Sequence, residues 1–302
     1  MPHAPLGPSK AGPSAGSCGS SLVTIIEPPK GLGQINFAEL WRFRELFASL
    51  IWRDISVRYK QTLLGISWAV IGPVASTVIF TLIFGGLAKL KTDDLAAPVF
   101  YMAGLTIWRY FQNALTTASG SLVNNQNLLT KIYFPRMIIP IASVLANLVD
   151  LLIGLAILFA VMLWYGIIPD HAILMLPLLV LIATGTALGA GLFFAALYVR
   201  YRDVVQLIPF LAQLWMYCTV IIPFSEFAAR LGQWGNWRYL YGLNPMGGVV
   251  EGFRWCLARR SMSESVEAPW ILICIGAGVM MIFLLWGVYY FRRVESQFAD
   301  VV

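Results

Sequence analysis

The chain has 302 residues, 59% hydrophobic and only 12% charged, with a net charge of +6. A soluble domain of this length would carry roughly a quarter charged residues, and the apolar residues here gather into runs of about 20 or more, the length of bilayer-spanning helices. Composition therefore argues against a soluble protein, and the lack of short alternating segments argues against a transmembrane barrel.

The basic residues flank the apolar runs instead of forming one block, which points to topology and lipid headgroups and away from nucleic acid. Residues 1–33 are rich in Pro, Gly, Ser and Ala with no early apolar stretch. They read as a disordered tail, not a cleaved signal peptide.

Residues 34–66 read as an N-terminal interfacial amphipathic helix. In "FAELWRFRELFASLIWRDISVRYKQ" (37–61), Arg42, Glu45, Ser49, Arg53, Ser56 and Lys60 recur at steps of three and four. Phe37, Leu40, Phe47, Leu50, Ile51 and Ile55 lie opposite. The charges are too many for a span, so the segment should lie in the membrane interface. It is either a plain anchor or, through Arg53, Arg58 and Lys60, also a contact for the phosphate of a lipid-linked substrate.

Residues 67–302 read as a six-span domain, and the fold class as an all-α integral membrane protein. Spans are expected at about 67–87, 98–118, 137–164, 173–198, 204–223 and 269–291. Gly72-Pro73 predicts a kink in the first, which neighbouring helices can accommodate. The N-terminal basic residues, Lys131 and Arg136, Arg200 and Arg202, and Arg292 and Arg293 all fall on one side. That side, with both termini, is expected to be cytoplasmic.

Arg109 falls near the middle of the second span and Asp150 near the middle of the third. A lone charge there costs about 2.5–3.5 kcal/mol on insertion scales, so each needs a partner or water. The two spans run antiparallel, and the side chains start about 6 Å apart in depth. Either the two residues pair, fixing helix register, or both line a wet cavity.

Between these spans, the 119–136 connector ends in "NLLTKIYFPR". Leu128, Leu129, Ile132 and Tyr133 fall on adjacent turns of a short helix that Pro135 ends. Such a stripe suits a groove on a partner, or else lies among headgroups. The next connector on that side, "YVRYRDV" (198–204), carries Arg200, Arg202 and Asp203. The stretch 224–268 is extracytoplasmic in this topology, aromatic, and too long for a turn. With Asn244-Pro245 and Gly247-Gly248 it reads as short re-entrant or interfacial helices before the last span.

Catalytic and metal-binding constellations are not seen. His3 and His171 are the two histidines, and Cys18, Cys218, Cys256 and Cys274 lack metal or redox spacing. A membrane acyl- or glycosyltransferase would show acids or histidines clustered at one membrane face. No G-x-x-x-x-G-K-[ST] occurs, so no P-loop holds ATP here. Work would then draw on an ion gradient or on another polypeptide. A carrier or flippase acting alone usually shows several intramembrane acids and paired halves. Asp150 stands alone in that respect, which favours an ATP-hydrolysing partner.

Four stretches, in this order, resemble the transmembrane subunits of ABC-2 type polysaccharide exporters: "RDISVRYKQTLLGISW" (53–68) with Pro73, "NLLTKIYFPRMIIP" (127–140), "RYRDV" (200–204) and "LNP" (243–245). The resemblance covers about residues 37–295. It implies a non-enzymatic channel subunit in the bacterial inner membrane that moves lipid-linked O-antigen, capsular polysaccharide or teichoic acid outward. It further implies a homodimer with two copies of a P-loop ATPase, which hold ATP and Mg, leaving no cofactor on this chain. The ATPase groove would receive Leu128, Leu129, Lys131, Ile132, Tyr133 and Phe134. Pro135, Arg136 and the Arg200, Arg202 and Asp203 connector would lie beside it. Arg109, Asp150, Trp215, Tyr217, Trp234, Trp237 and Tyr239 would line the channel, although the aromatics fit an interfacial belt equally well. Glu251 and Arg254, in the periplasmic segment 224–268, would gate the exit.

Overall fold

The computed structural model describes residues 41–60, 67–90, 92, 95–129, 134–221, 224, 240–262 and 268–295. The expected tail at 1–33 lies outside these residues, as do Lys131, Ile132, Tyr133, Trp234, Trp237 and Tyr239. Among the described residues the chain is helical throughout, with no strand.

Helix α1 (Arg44–Lys60) precedes α2 (Ser67–Phe80), which continues through π-helical turns over Thr81–Leu87. A 28-residue helix, α3 (Ala97–Asn124), leads through the short α4 (Gln126–Leu129) to α5 (Ile138–Ala146) and α6 (Leu148–Trp164). Then come α7 (Leu176–Arg200), α8 (Val204–Met216), α9 (Pro245–Ala258) and α10 (Trp270–Glu295).

Among the described residues, five segments are long and apolar enough to cross a membrane: Ala69–Leu87, Ile138–Trp164, His171–Arg200, Val204–Ile221 and Trp270–Glu295. The remaining expected span is α3, which is long enough at about 1.5 Å per residue but more polar. Its position explains this. It packs against α2, α5, α6, α7, α8 and α9, with Tyr101, Trp108 and Phe111 fully buried. Its serine and threonine hydroxyls bond back within the helix, as in Thr106 Oγ1 donating to the Met102 carbonyl (2.8 Å) and Ser119 Oγ to that of Leu115 (2.6 Å). A helix shielded by its neighbours needs less apolar surface than one facing lipid. At the other extreme is the first span, whose Ala69–Leu87 window is only 6% buried.

Helices α7 and α10 form the closest pairing. A Cβ on Gly287 would fall onto the Gly189 carbonyl, and one on Gly189 would come within 2.6 Å of the α10 backbone at Phe283 and Leu284. Two glycines bring the backbones into direct contact, the small-residue packing that drives association where lipid is as apolar as the side chains.

Helix α9 is the described part of the segment expected to be re-entrant. Asn244 caps it by accepting from the Met246 amide (3.1 Å), and Pro245 occupies its first turn. Its 14 residues reach about 21 Å, short of a hydrocarbon core of about 30 Å, and every one is buried. It packs on α3, α7 and α10.

Candidate functional site

The apolar stripe of α1 covers protein. Leu50, 4% exposed, joins Phe134, Ile138, Ile139 and Ala142 in one cluster, with Phe47, Ile51, Leu128 and Leu129 against it. Phe37 and Leu40 of that stripe lie outside the described residues. Trp52 and Val57 keep a separate exposed apolar surface on α1.

The polar side of α1 is also engaged. Arg53 donates to its neighbour Asp54 (2.8 Å), which accepts from Ser143 Oγ of α5 (3.2 Å). Arg58 Nη1 donates to Asn147 Oδ1 (2.9 Å) and pairs with the Asp150 carboxylate, to which the Tyr59 hydroxyl also donates. Asn147, between α5 and α6, is fully buried and passes the network on to Thr117 Oγ1 of α3 (2.8 Å). Burial, then the hydrogen bond to Asp150, push the Tyr59 phenol well above its ordinary range. Of Arg53, Arg58 and Lys60, the three cations expected at a lipid phosphate, two therefore have carboxylates, and Lys60 is exposed.

The first part of the third expected span, α5, lies beside α1, and the Tyr59 bond sets Asp150 level with the C-terminal turn of α1.

Arg109 does not pair with Asp150. Its Nη2 donates to the Gly72 carbonyl (2.8 Å) and to Ser76 Oγ (2.7 Å), both on α2 beside Pro73. The other expectation for these residues, a shared cavity, describes the geometry. Both line one pocket of about 240 Å³ with Arg58, Tyr59, Pro73 and Asn113.

At the connector, Phe134 is 5% exposed and sits in the Leu50 cluster, so it packs the chain's own interior and is not free for a partner's groove. Arg136 Nη1 donates to the Glu295 carbonyl at the end of α10 (2.9 Å). Pro135 follows Phe134 as expected, ahead of α5. On the next connector Arg200, Arg202 and Asp203 are exposed, with Arg200 over the Tyr201 ring at 5.5 Å.

The other candidates lie away from this end. Trp215 donates to Asn244 Oδ1 (2.9 Å) and meets Trp108 and Phe111 edge-on, at 5.8 and 5.1 Å between centroids. Tyr217 is exposed beside Gln213. Arg254 is fully buried over the Phe100 ring at 3.7 Å, donating to Glu251 (2.9 Å) and to the Phe100 carbonyl (3.3 Å). Glu251 also accepts from the Phe224 amide (3.2 Å). The pair ties α9 to α3 from within.

Arg58 and Tyr59 as partners of Asp150, and Gly72 and Ser76 as partners of Arg109, were not foreseen from the residue order. One signal was available for the first. Asp150 needed a cation, and a short basic helix precedes the first span.

The ABC-2 type transporter family matches this chain over residues 45–258, more than half its length. The chain belongs to that family. It is 26% identical over 217 residues to the O-antigen export system permease protein RfbA of Myxococcus xanthus, covering 72% of this chain and 81% of that protein. It is 23% identical over 251 residues to the protein of the same name from Klebsiella pneumoniae, covering 83% of this chain and 92% of the relative. The matched region runs from α1 through α9 and so contains the α1–Asp150 network, the Arg109 pocket and the Arg254 tie. With its apolar helices, this makes the chain a multi-pass membrane protein of the ABC-2 type.

Proposed function

We propose that this chain is the channel subunit of an ATP-driven exporter that carries lipid-linked polysaccharide out of the cytoplasm, working as a homodimer with two copies of a separate P-loop ATPase. The names of its relatives support the substrate class, and the lack of a P-loop in this sequence favours ATP and Mg on a partner. The basic ends of the helices support an orientation with Arg136, Arg200 and both termini on the cytoplasmic side of the inner membrane.

One observation carries the reading: the α3–α5 connector is fastened to two distant parts of the bundle. Leu128, Leu129 and Phe134 pack on Leu50 of α1, and Arg136 holds the end of α10. A partner pushing on the connector from the cytoplasm would move α1, α5 and α10 together. That is what a subunit without its own nucleotide site requires. Phe134 then transmits the motion and does not dock, while Lys131, Ile132 and Tyr133 supply the docking surface.

The test is ATP hydrolysis by the ATPase subunit reconstituted with this chain. Phe134→Ala should leave the two subunits associated but cut substrate-stimulated hydrolysis several-fold. Full stimulation in that variant would refute the lever.

A further inference from the structure

The pocket between α1, α2, α3 and α6 holds a cation without a counter-ion. Arg109 presents five N–H donors, and its bonds to Gly72 and Ser76, made through Nη2, are to neutral groups. Among the described residues it makes no ion pair. Asp150, the acid that shares the pocket, is bound by Arg58 and Tyr59. Arg58 and Asp150 offset one another, so the pocket carries one net positive charge. Placing such a charge inside a membrane protein is costly and calls for a partner. A guanidinium fork matches phosphate oxygens two at a time.

We propose that this pocket binds a phosphate group carried on a lipid, with Arg109 as its principal ligand. The inference rests on the lipid-linked substrate of the reading above and gives that substrate a headgroup site. Two observations favour a lipid over a free anion. Ala69 and Pro73 of α2 form one wall, and the same helix leaves Val70, Ile71, Val74 and Val78 exposed as an apolar stripe. Arg58 and Tyr59, from the basic C-terminal turn of α1, also line the pocket, so it is shared with the helix that the sequence assigns to the membrane interface. Gly72 leaves room for the guanidinium, because a Cβ there would come within 2.6 Å of Arg109 Nη1.

The experiment measures binding to the purified full-length chain in nanodiscs, without the ATPase. The probes are a polyprenyl phosphate, the matching polyprenol and inorganic phosphate. The polyprenyl phosphate should bind wild type at least tenfold more tightly than either of the others. Arg109→Gln should weaken it by roughly ten- to a hundredfold, the loss of one or two charge-assisted hydrogen bonds, and Arg109→Lys by less. Should Arg109→Gln fail to fold, Gly72→Ala keeps the arginine but displaces its guanidinium and should weaken binding several-fold. Wild-type affinity in Arg109→Gln, or in Gly72→Ala where the former is unfolded, overturns the site. Equal binding of the polyprenol overturns the phosphate, and equal binding of inorganic phosphate overturns the lipid. Because no ATPase or transport enters the assay, its failure is separate from failure of the export reading.

Discussion

Arg58 of α1 is bound to Asp150 of α6, a residue 92 positions further along the chain. The pair fastens an amphipathic helix to the membrane bundle through charge, where its apolar stripe already fastens it through Leu50. Replacing either residue leaves a half-buried charge behind. Arg58→Gln and Asp150→Asn should each destabilise the protein by about 1–3 kcal/mol. The double variant should lose less than the sum, with a coupling of at least about 1 kcal/mol. Thermal unfolding in mild detergent measures this, and additive losses would deny the pair.

Tyr59 shares the same carboxylate, and its phenol is held above its ordinary value by burial and by Asp150. The folded value exceeds the unfolded one, so the stabilisation is fully present below about pH 10 and lost as pH rises beyond it. Wild type should therefore lose more stability between pH 9 and 11 than Tyr59→Phe, as followed by melting temperature across that range. Parallel losses would show that Tyr59 adds nothing.

The contact of Gly189 with Gly287 sets the spacing of α7 and α10. Gly287→Val should force these helices apart and cost about 3 kcal/mol or more, beyond ordinary overpacking. Gly278 of α10, whose Cβ position is open, serves as the control. Gly278→Ala should keep the wild-type elution profile in size-exclusion chromatography while Gly287→Val aggregates.

Arg254 and Glu251 are buried together, so removing one partner should do more harm than removing both. Arg254→Met should cost about 3–5 kcal/mol, and adding Glu251→Leu should recover much of that. Unfolding of the two variants decides between a structural tie and a moving gate. A gate would instead leave stability nearly unchanged and alter transport.

Much of this architecture is legible in the residue order. Apolar runs locate the spans because lipid demands about 20 uninterrupted residues, and Asn244-Pro245 with Gly247-Gly248 announces α9 because that helix must start sharply and pack closely. Helix α3 is harder to read, since burial by protein relaxes the demand for apolar side chains. The partners of the charges are hardest. Depth alone suggested Arg109 with Asp150, but the packing of α2 on α3 brings Gly72 and Ser76 to Arg109, and the path of α1 brings Arg58 to Asp150. Both depend on how distant segments lie across one another, which helical periodicity does not carry. The same holds for Phe134, whose place in an apolar stripe fits docking or packing until Leu50 is seen against it.

The central claim is that this chain moves its substrate only when a separate ATPase works on it. The most direct measurement is translocation of lipid-linked polysaccharide in proteoliposomes holding the purified chain, with and without an added P-loop ATPase subunit. The account predicts ATP-dependent translocation with the partner and none without it. Translocation by the chain alone, driven by an ion gradient, would contradict it.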